Sequence, residues 1–135
     1  MTGRIARKNE QTMKHPENHR QRLGKWGEEA AAAYLTGNGF EILAENLRTP
    51  YGEIDLLARK DSVLVFVEVK TRSNRAFGEP EAAITGKKKA HMLAAAEAYL
   101  QSHPDQTSDW RVDVISIVRL PGAEMDLQHF ENAIS

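Results

Sequence analysis

The chain has 135 residues, no cysteine and a formal net charge of −1. A chain of this length is expected to fold as one domain with a modest core, and the lack of cysteine excludes disulfides and thiolate metal sites. No apolar run reaches the roughly 18 residues of a membrane span, and no apolar segment follows the charged start. We therefore expect a cytoplasmic protein without a membrane partner.

Positive charge is concentrated in two parts of the sequence. Residues 1–25 carry seven Lys or Arg against two acids. A second basic group comprises Lys70, Arg72, Arg75, Lys87, Lys88 and Lys89. The small net charge argues against a general polyanion binder, whereas the local groups favour positive potential near one site. The second group supplies the expected nucleic-acid contacts: Arg72, Arg75, Lys87 and Lys88.

The first part of the chain predicts an arm followed by a helix. Residues 1–21 are polar and basic without apolar periodicity, which predicts a flexible arm in front of a single domain at 22–135. Apolar residues at helical spacing predict a helix from Arg22 to Thr36. Glu28 lies near its beginning, where the helix dipole alone favours an acid.

A strand from Phe40 to Leu47 and then a β-hairpin are predicted next. In the stretch from Gly52 to Arg72, two runs rich in Ile, Leu, Val and Phe flank the turn-prone residues 60–62. A turn of two or four residues centred there sets Asp55 opposite Phe66.

This register brings two acids and a lysine to one face of the hairpin. Side chains alternate with period two, so Asp55 shares a face with Glu68 and Lys70, and Glu68 is its diagonal neighbour, with Cα atoms roughly 7 to 8 Å apart. Carboxylates on so apolar a strand must be neutralised, paired or bound to metal. A hard ion such as Mg²⁺ would suit both acids and phosphodiester hydrolysis, with Lys70 stabilising the transition state. In the same register Glu53 faces Glu68, which makes Glu53 a secondary candidate.

A simpler interpretation of the same residues is open. Short spacings of acids and lysines are common by chance, and Asp55 and Glu68 could pair with Lys70 and nearby arginines at a solvated sheet edge. The apolar strands around the acids favour a functional site over this alternative.

A second helix is predicted from Thr85, as the N-cap, to Gln101, after a polar loop at residues 72–81. Three lysines, at positions 87 to 89, fall in its first turn, where the helix dipole disfavours cations. This placement favours an anionic partner, although a solvated charged face accounts equally well for Lys87 and Lys89.

The chain ends in two further strands. Trp110 to Val118 alternates in strand fashion, and Met125 to Phe130 predicts a short edge strand. Asp113 shares a side with apolar residues, so it either pairs with an arginine or supports the site from behind. The element order predicts an α/β domain with a central mixed β-sheet flanked by helices.

Several motifs, in order along the chain, resemble one family. Asp55, twelve intervening residues and Glu68-Val69-Lys70 resemble the PD-(D/E)xK nuclease core. From about Arg22 to Ile134 a wider set resembles the YraN-type family of predicted bacterial endonucleases. This set comprises Gly27-Glu28, Gly52-Glu53-Ile54-Asp55, Phe66-Val67-Glu68-Val69-Lys70-Thr71-Arg72, Lys88 and Arg111-Val112-Asp113. That family is similar in pattern to archaeal Holliday junction resolvases.

The resemblance implies a restriction-endonuclease-like core and a metal-dependent endonuclease that hydrolyses DNA, with branched or structured DNA among the candidate substrates. It implies Asp55, Glu68 and the carbonyl of Val69 as ligands of Mg²⁺ or Mn²⁺. Lys70 is then the catalytic cation and Glu28 an assisting acid.

Three questions stay open at the level of sequence. RNA is not excluded, since no residue pattern reads a 2′-hydroxyl. Resolvase-like enzymes often act as dimers, so a homodimer is one expected assembly. The alternative function is a nucleic-acid-binding module that has the nuclease fold and no catalytic activity.

Overall fold

The computed structural model describes residues 18–73, 86–105 and 109–133 of the chain. The basic arm up to residue 17, Arg75 and the expected N-cap Thr85 lie outside these ranges.

The described residues form two helices and five strands in the predicted order. They are α1 (His19–Gly37), β1 (Glu41–Thr49), β2 (Gly52–Lys60), β3 (Val63–Arg72), α2 (Gly86–Ser102), β4 (Trp110–Arg119) and β5 (Met125–Phe130). The strands form one sheet in the order β1 to β5, in which β3 and β4 are parallel and all other neighbours antiparallel. The predicted fold class, an α/β domain with a central mixed sheet flanked by helices, is confirmed. Neither of these helices is long and apolar enough to cross a bilayer.

Each helix covers one face of the sheet. Beneath α1 the core contains Ala31, Leu35, Phe40, Leu56, Val65, Val67, Ile115 and Ile117. Beneath α2 it contains Leu57, Leu64, Phe66, Ala95, Ala96, Val112 and Val114. The parallel strands β3 and β4 are thus buried on both faces, as crossover helices require. Polar residues in the middle of these strands, namely Glu68, Asp113 and Ser116, are therefore buried.

The helix α1 begins three residues before the predicted start at Arg22. Asn18 is its N-cap and forms a capping box, in which the Gln21 N–H donates to Asn18 Oδ1 at 2.8 Å and the Asn18 N–H donates to Gln21 Oε1 at 3.0 Å. These polar residues extend the helix beyond its apolar face, which begins at Leu23.

The register of the β2–β3 hairpin differs from the prediction. Its turn consists of Asp61 and Ser62, with φ of 52° and 66°, as a two-residue hairpin of type I′ requires. Phe66 pairs with Leu57, so the predicted pairing of Phe66 with Asp55 is wrong by two residues. The turn lies one residue further along than predicted, because Asp tolerates positive φ. Since the shift is an even number of residues, the side chains in the paired part of the hairpin keep their predicted faces. The alternation breaks at Asp55, because Ile54 packs with Leu57 under α2 while Leu56 packs under α1.

Candidate active site

The backbone pairing between β2 and β3 ends at Leu56 and Val67. Beyond this pair, the side chain of Asp55 forms the next hydrogen bond to β3. The Val69 N–H donates to Asp55 Oδ2 at 2.8 Å, so a carboxylate of β2 replaces the expected backbone acceptor. In an antiparallel pair the N–H and C=O of one residue point towards the same neighbouring strand, so the Val69 carbonyl faces the same gap. The gap therefore holds two of the oxygen donors that the sequence predicts as metal ligands.

Glu68 lies beside this gap and contacts two lysines. The residue is only 6% exposed, and its Oε2 lies 3.4 Å from Lys70 Nζ and 3.1 Å from Lys88 Nζ. Lys70 comes from β3 itself, whereas Lys88 comes from the first turn of α2. Two lysines thus meet at Glu68, a predicted metal ligand. Lys70 is the predicted catalytic cation, and Lys88 is a predicted nucleic-acid contact.

The Asp55 carboxyl is electrostatically unfavourable in its ionised form. Burial and the neighbouring charges of Glu68 and Glu28 together raise its pKa to about 7, although the Val69 N–H and Lys88 oppose the shift. Lys88 therefore compensates only part of the negative charge around Asp55. A buried acid in this condition is typical of sites that bind a cation or exchange a proton.

Close packing of α1 against β3 brings Glu28 to the same group of acids. At Gly27 the helix backbone touches Thr71, and a Cβ atom there would lie 2.9 Å from the Thr71 Cβ. The next residue, Glu28, is half-buried, and burial raises its pKa, as do the charges of Glu53, Glu45 and Glu68. The predicted assisting acid is thus within electrostatic range of the predicted ligand Glu68.

Asn46 joins this site and was missed in the sequence. With its amide nitrogen turned towards the acids, Asn46 Nδ2 donates to Glu53 Oε1 at 3.1 Å and to Glu28 Oε1 at 3.2 Å. Its φ of 51° breaks the regular course of β1. An asparagine inside a predicted strand was the available signal, because Asn is depleted in strands and tolerates positive φ.

The secondary candidate Glu53 does not face Glu68 across the hairpin, because the true register moves it. It pairs in the sheet with Arg48 of β1, and its Oε2 lies 4.0 Å from Arg48 Nε. Glu53 is exposed. Glu53 is linked to the site by the hydrogen bond that it accepts from Asn46. Its charge also raises the pKa of Glu28.

The other secondary candidate, Asp113, lies on the opposite face of the sheet from Glu68. Glu68 is level with Val114, which packs under α2, whereas the next residue in β4, Ile115, packs under α1. Because side chains alternate, Asp113 shares the α1 face with Ile115. Asp113 therefore does not touch Glu68 directly, and any support that it gives the site passes through the sheet.

Asp113 instead connects the strands at the edge of the sheet. It accepts hydrogen bonds from Arg111 Nε at 3.0 Å, from the Asn132 N–H at 2.9 Å and from His129 Nε2 at 2.8 Å. The Tyr34 hydroxyl of α1 bonds His129 Nδ1 at 3.0 Å. The predicted pairing of Asp113 with an arginine is confirmed, within a buried network that joins α1, β4 and β5.

The structure describes two of the three remaining residues that are expected to contact DNA. Arg72 is half-buried at the end of β3, two residues beyond Lys70. Lys87 is exposed in the first turn of α2, beside Lys88. Arg75 lies in the undescribed residues that follow β3.

The donor set fits a hard divalent ion. In the part of the chain that the structure describes, no three His, Asp or Glu side chains form a ready metal-binding group. Asp55 and Glu68 provide two carboxylates, and Val69 provides a backbone carbonyl. Mg²⁺ is commonly held by one or two carboxylates while it keeps several waters. Two acids with one carbonyl therefore match the demands of Mg²⁺ or Mn²⁺, whereas ions that prefer imidazole or thiolate would lack ligands here.

Comparison with known families decides where the chain belongs. The model of the "Uncharacterised protein family UPF0102" matches residues 27–117, from Gly27 of α1 to Ile117 of β4. The chain belongs to the UPF0102 family. The match confirms the resemblance to the YraN-type family. It includes Glu28, Asp55, Glu68 and Lys70.

UPF0102 proteins of several bacteria are similar along most of the chain. One from Roseiflexus castenholzii is 45% identical over 118 residues, which cover 85% of this chain and 94% of the relative. One from Syntrophomonas wolfei is 46% identical over 111 residues, which cover 82% and 96%. A solved structure described as "Structure of EndoMS-dsDNA2 complex" aligns at 18% identity and a TM-score of 0.43, covering 72% of this chain and 38% of that one. These UPF0102 names state no activity, and a structural similarity of that size decides none, so function is inferred from the site.

Proposed function

We propose that this UPF0102 protein is a metal-dependent endonuclease that hydrolyses phosphodiester bonds in DNA. One observation carries the proposal: Asp55 and Glu68 are neighbouring carboxylates on two apolar strands, and the repulsion between them is only partly balanced by Lys70 and Lys88. A divalent ion and a phosphate would together complete this balance, since the ion neutralises the acids and the phosphate engages the lysines.

Each residue of the site has a distinct role in this proposal. Asp55, Glu68 and the Val69 carbonyl hold Mg²⁺ or Mn²⁺. The bound ion supplies Lewis acidity and neutralises charge that develops on the phosphate oxygens. Lys70 leaves Glu68 to orient the attacking water or to stabilise the developing charge. Glu28, whose pKa is raised, exchanges a proton at the site.

The basic residues around the site hold the DNA backbone. Lys88 reaches the site from α2 and binds the phosphate next to the cut, while Arg72 and Lys87 bind phosphates further along the strand. We assign Arg75 to the same group on its place in the sequence. Branched DNA, plain DNA and RNA present the same phosphate chemistry, so the choice among them is a matter for substrate assays. A cytoplasmic location and a homodimer are parts of the same proposal.

The decisive experiment replaces one carboxylate without changing its shape. Full-length protein is incubated with branched and plain DNA and with Mg²⁺ or Mn²⁺, and cleavage is followed on gels. We expect Asp55→Asn to abolish cleavage. Asp61→Asn is the matched control, because Asp61 lies in the exposed turn of the same hairpin and its positive φ suits asparagine. Equal cleavage by Asp55→Asn and the unmodified protein would refute the proposal.

A second candidate is a nucleic-acid-binding module without catalytic activity. It is favoured by the two ion pairs of Glu68 with Lys70 and Lys88, which reduce the need for a metal. Calorimetric titration with Mn²⁺ separates the candidates. The endonuclease requires binding of Mn²⁺ that Glu68→Gln weakens strongly, whereas the module binds DNA in a salt-dependent manner without binding the ion.

A further inference from the structure

A pocket adjoins the active site between the β1–β2 turn and α2. It encloses about 470 Å³, including space open to solvent, and Glu68 and Lys88 form part of its wall. The pocket and the proposed cleavage site therefore share two side chains. A molecule bound in the pocket would lie beside a phosphate held by Lys88.

The lining of this pocket combines an apolar surface with a polar rim. Its apolar side chains belong to the core beneath α2 and are those of Ile54, Phe66, Met92, Ala95 and Val112. Its polar side chains include Glu53, Glu68, Lys88 and His91. His91 follows Lys88 by three residues on α2, so both side chains lie on the same side of the helix. The pocket thus offers apolar contact together with hydrogen-bond donors and acceptors, as small-molecule sites do.

Tyr51 stands at the mouth of the pocket and is unusually exposed. The residue is 58% exposed, and it lines both this pocket and a second hollow formed with Ala94, Glu97, Ala98 and Gln101. Tyr51 thus belongs to the lining of both hollows beside α2.

The turn that carries Tyr51 is held by local hydrogen bonds. The Tyr51 N–H donates to Thr49 Oγ1 at 3.1 Å, and Thr49 Oγ1 donates to the Gly52 carbonyl at 2.7 Å. Gly52 has a φ of 126°, which glycine adopts at little cost. Because the backbone of the turn is held, a ligand on the ring would not have to order the turn as well.

A nucleobase matches this combination of features. Its two faces are apolar and stack on aromatic rings, while its edge carries donors and acceptors. Inside a duplex these faces are covered by neighbouring bases, so a base must leave the stack to use such a pocket. An unpaired base next to the cut phosphate satisfies that condition, because the pocket and the phosphate-binding lysine are adjacent.

We propose that the pocket receives one unstacked nucleobase of the DNA strand to be cut, with the ring of Tyr51 stacked on it. This inference rests on the proposed endonuclease and specifies its substrate class. DNA that contains an unpaired nucleotide, as bulges and strand junctions do, is the preferred substrate. Fully paired duplex is bound through its phosphates alone.

The test measures binding without metal, so that no strand is cut. Full-length protein is titrated in EDTA into fluorescently labelled duplexes that are fully paired, contain one bulged adenine, or contain one bulged abasic nucleotide. The unmodified protein is expected to bind the bulged adenine most tightly. Tyr51→Leu is expected to weaken binding of the bulged adenine about 10-fold, the typical effect of losing one base–aromatic stack. It should leave binding of the paired duplex unchanged.

The matched control is Tyr51→Phe, which keeps the ring and should keep the preference for the bulged adenine. Tyr51 lies on an exposed turn, so neither variant should disturb folding, and thermal melting checks this. Equal binding of all three duplexes, or an unchanged preference in Tyr51→Leu, would overturn the base pocket.

The outcome also separates this inference from the nuclease proposal. Metal-dependent cleavage without any preference for unpaired bases would overturn the pocket assignment alone. A preference that depends on Tyr51, together with no cleavage of any duplex in Mg²⁺ or Mn²⁺, would overturn the nuclease alone and leave the pocket as a nucleotide-binding site.

Discussion

Asp55 is held in place by the backbone of β3 and opposed by the acids around it. Its hydrogen bond from the Val69 N–H fixes the carboxylate at the gap between the strands. Glu68 and Glu28 make its charge unfavourable. In the absence of metal, the ionised residue should therefore reduce the stability of the protein, as preorganised charged sites commonly do.

This conflict predicts a pH-dependent gain of stability in Asp55→Asn. The folded-state pKa of about 7 lies above the ordinary value of 3.8, so the folded protein binds the proton more tightly than the unfolded chain. The stability of the unmodified protein should then fall as the pH rises from about 4 to about 7. Relative to it, Asp55→Asn should gain about 1 to 3 kcal/mol over this interval. Urea denaturation in metal-free buffer at both ends of the range measures the gain, and a difference independent of pH would contradict it.

Asp113 has the opposite character, because its charge is fully paired. Burial alone would raise its pKa, but hydrogen bonds from His129, Arg111 and the Asn132 N–H lower it below the ordinary value. An acid whose folded-state pKa is lowered stabilises the protein above its ordinary pKa. This stabilisation is lost as the pH falls through the folded-state value.

Replacement of this buried charge should therefore destabilise the fold without altering the active site directly. We expect Asp113→Asn to lower the free energy of unfolding at pH 7 by about 3 kcal/mol, because Arg111 loses its buried charged partner and keeps only the exposed Glu131 at 3.7 Å. The exposed control Asp109→Asn should change it by less than about 0.5 kcal/mol. Urea denaturation measures both. Cleavage by Asp113→Asn, assayed well below its melting temperature, should stay normal, since Asp113 lies on the opposite face of the sheet from Glu68.

At the scale of elements, apolar periodicity was sufficient to predict both helices and all five strands that the structure describes. The hairpin register was not predictable from that pattern, because it depends on the positive φ of Asp61 and Ser62. The error of two residues kept Glu68 and Lys70 on one face of β3, whereas the break in alternation at Asp55 brings its carboxylate to the Val69 N–H in the gap between the strands. The face of Asp113 relative to these residues could not be predicted, since β4 is buried on both sides and alternation alone does not identify either face.

The contact between α1 and β3 gives a prediction for Gly27. A side chain at this position would collide with Thr71, so Gly27→Ala must push α1 away from the sheet. We expect it to cost about 1 to 3 kcal/mol of stability, as overpacking typically does. Cleavage should also decrease, because Glu28 moves with the helix. Thermal melting and the cleavage assay measure the two effects.

One turn earlier in the same helix, Gly24 provides the control. A Cβ atom there would meet nothing within 4 Å. Gly24→Ala should therefore stabilise the protein by about 0.5 to 1 kcal/mol through the better helix propensity of alanine. If Gly27→Ala were as stable as Gly24→Ala, close packing at Thr71 would not be what positions Glu28.

For the whole molecule, the position of the basic residues matters more for DNA binding than the net charge. A net charge of −1 gives little general attraction to DNA. The site, however, combines Lys70 and Lys88 with the basic residues Arg72 and Lys87 at the ends of β3 and α2. DNA should therefore bind to one local surface and through few phosphates.

This arrangement predicts that the affinity for DNA falls only modestly with salt, and that each lysine in contact with a phosphate contributes to the slope. The logarithm of the binding constant should fall linearly with the logarithm of the salt concentration, with a slope of about −0.9 for each phosphate neutralised. Lys87→Gln should make the slope less negative by about 0.9, since one phosphate contact is lost. Lys60→Gln should leave the slope unchanged, because Lys60 lies at the far end of β2 from Asp55, over the ring of Phe40. Fluorescence anisotropy in EDTA over a range of salt concentrations gives both slopes. Equal slopes for the two variants would place the DNA on another surface of the protein, away from Glu68 and its lysines.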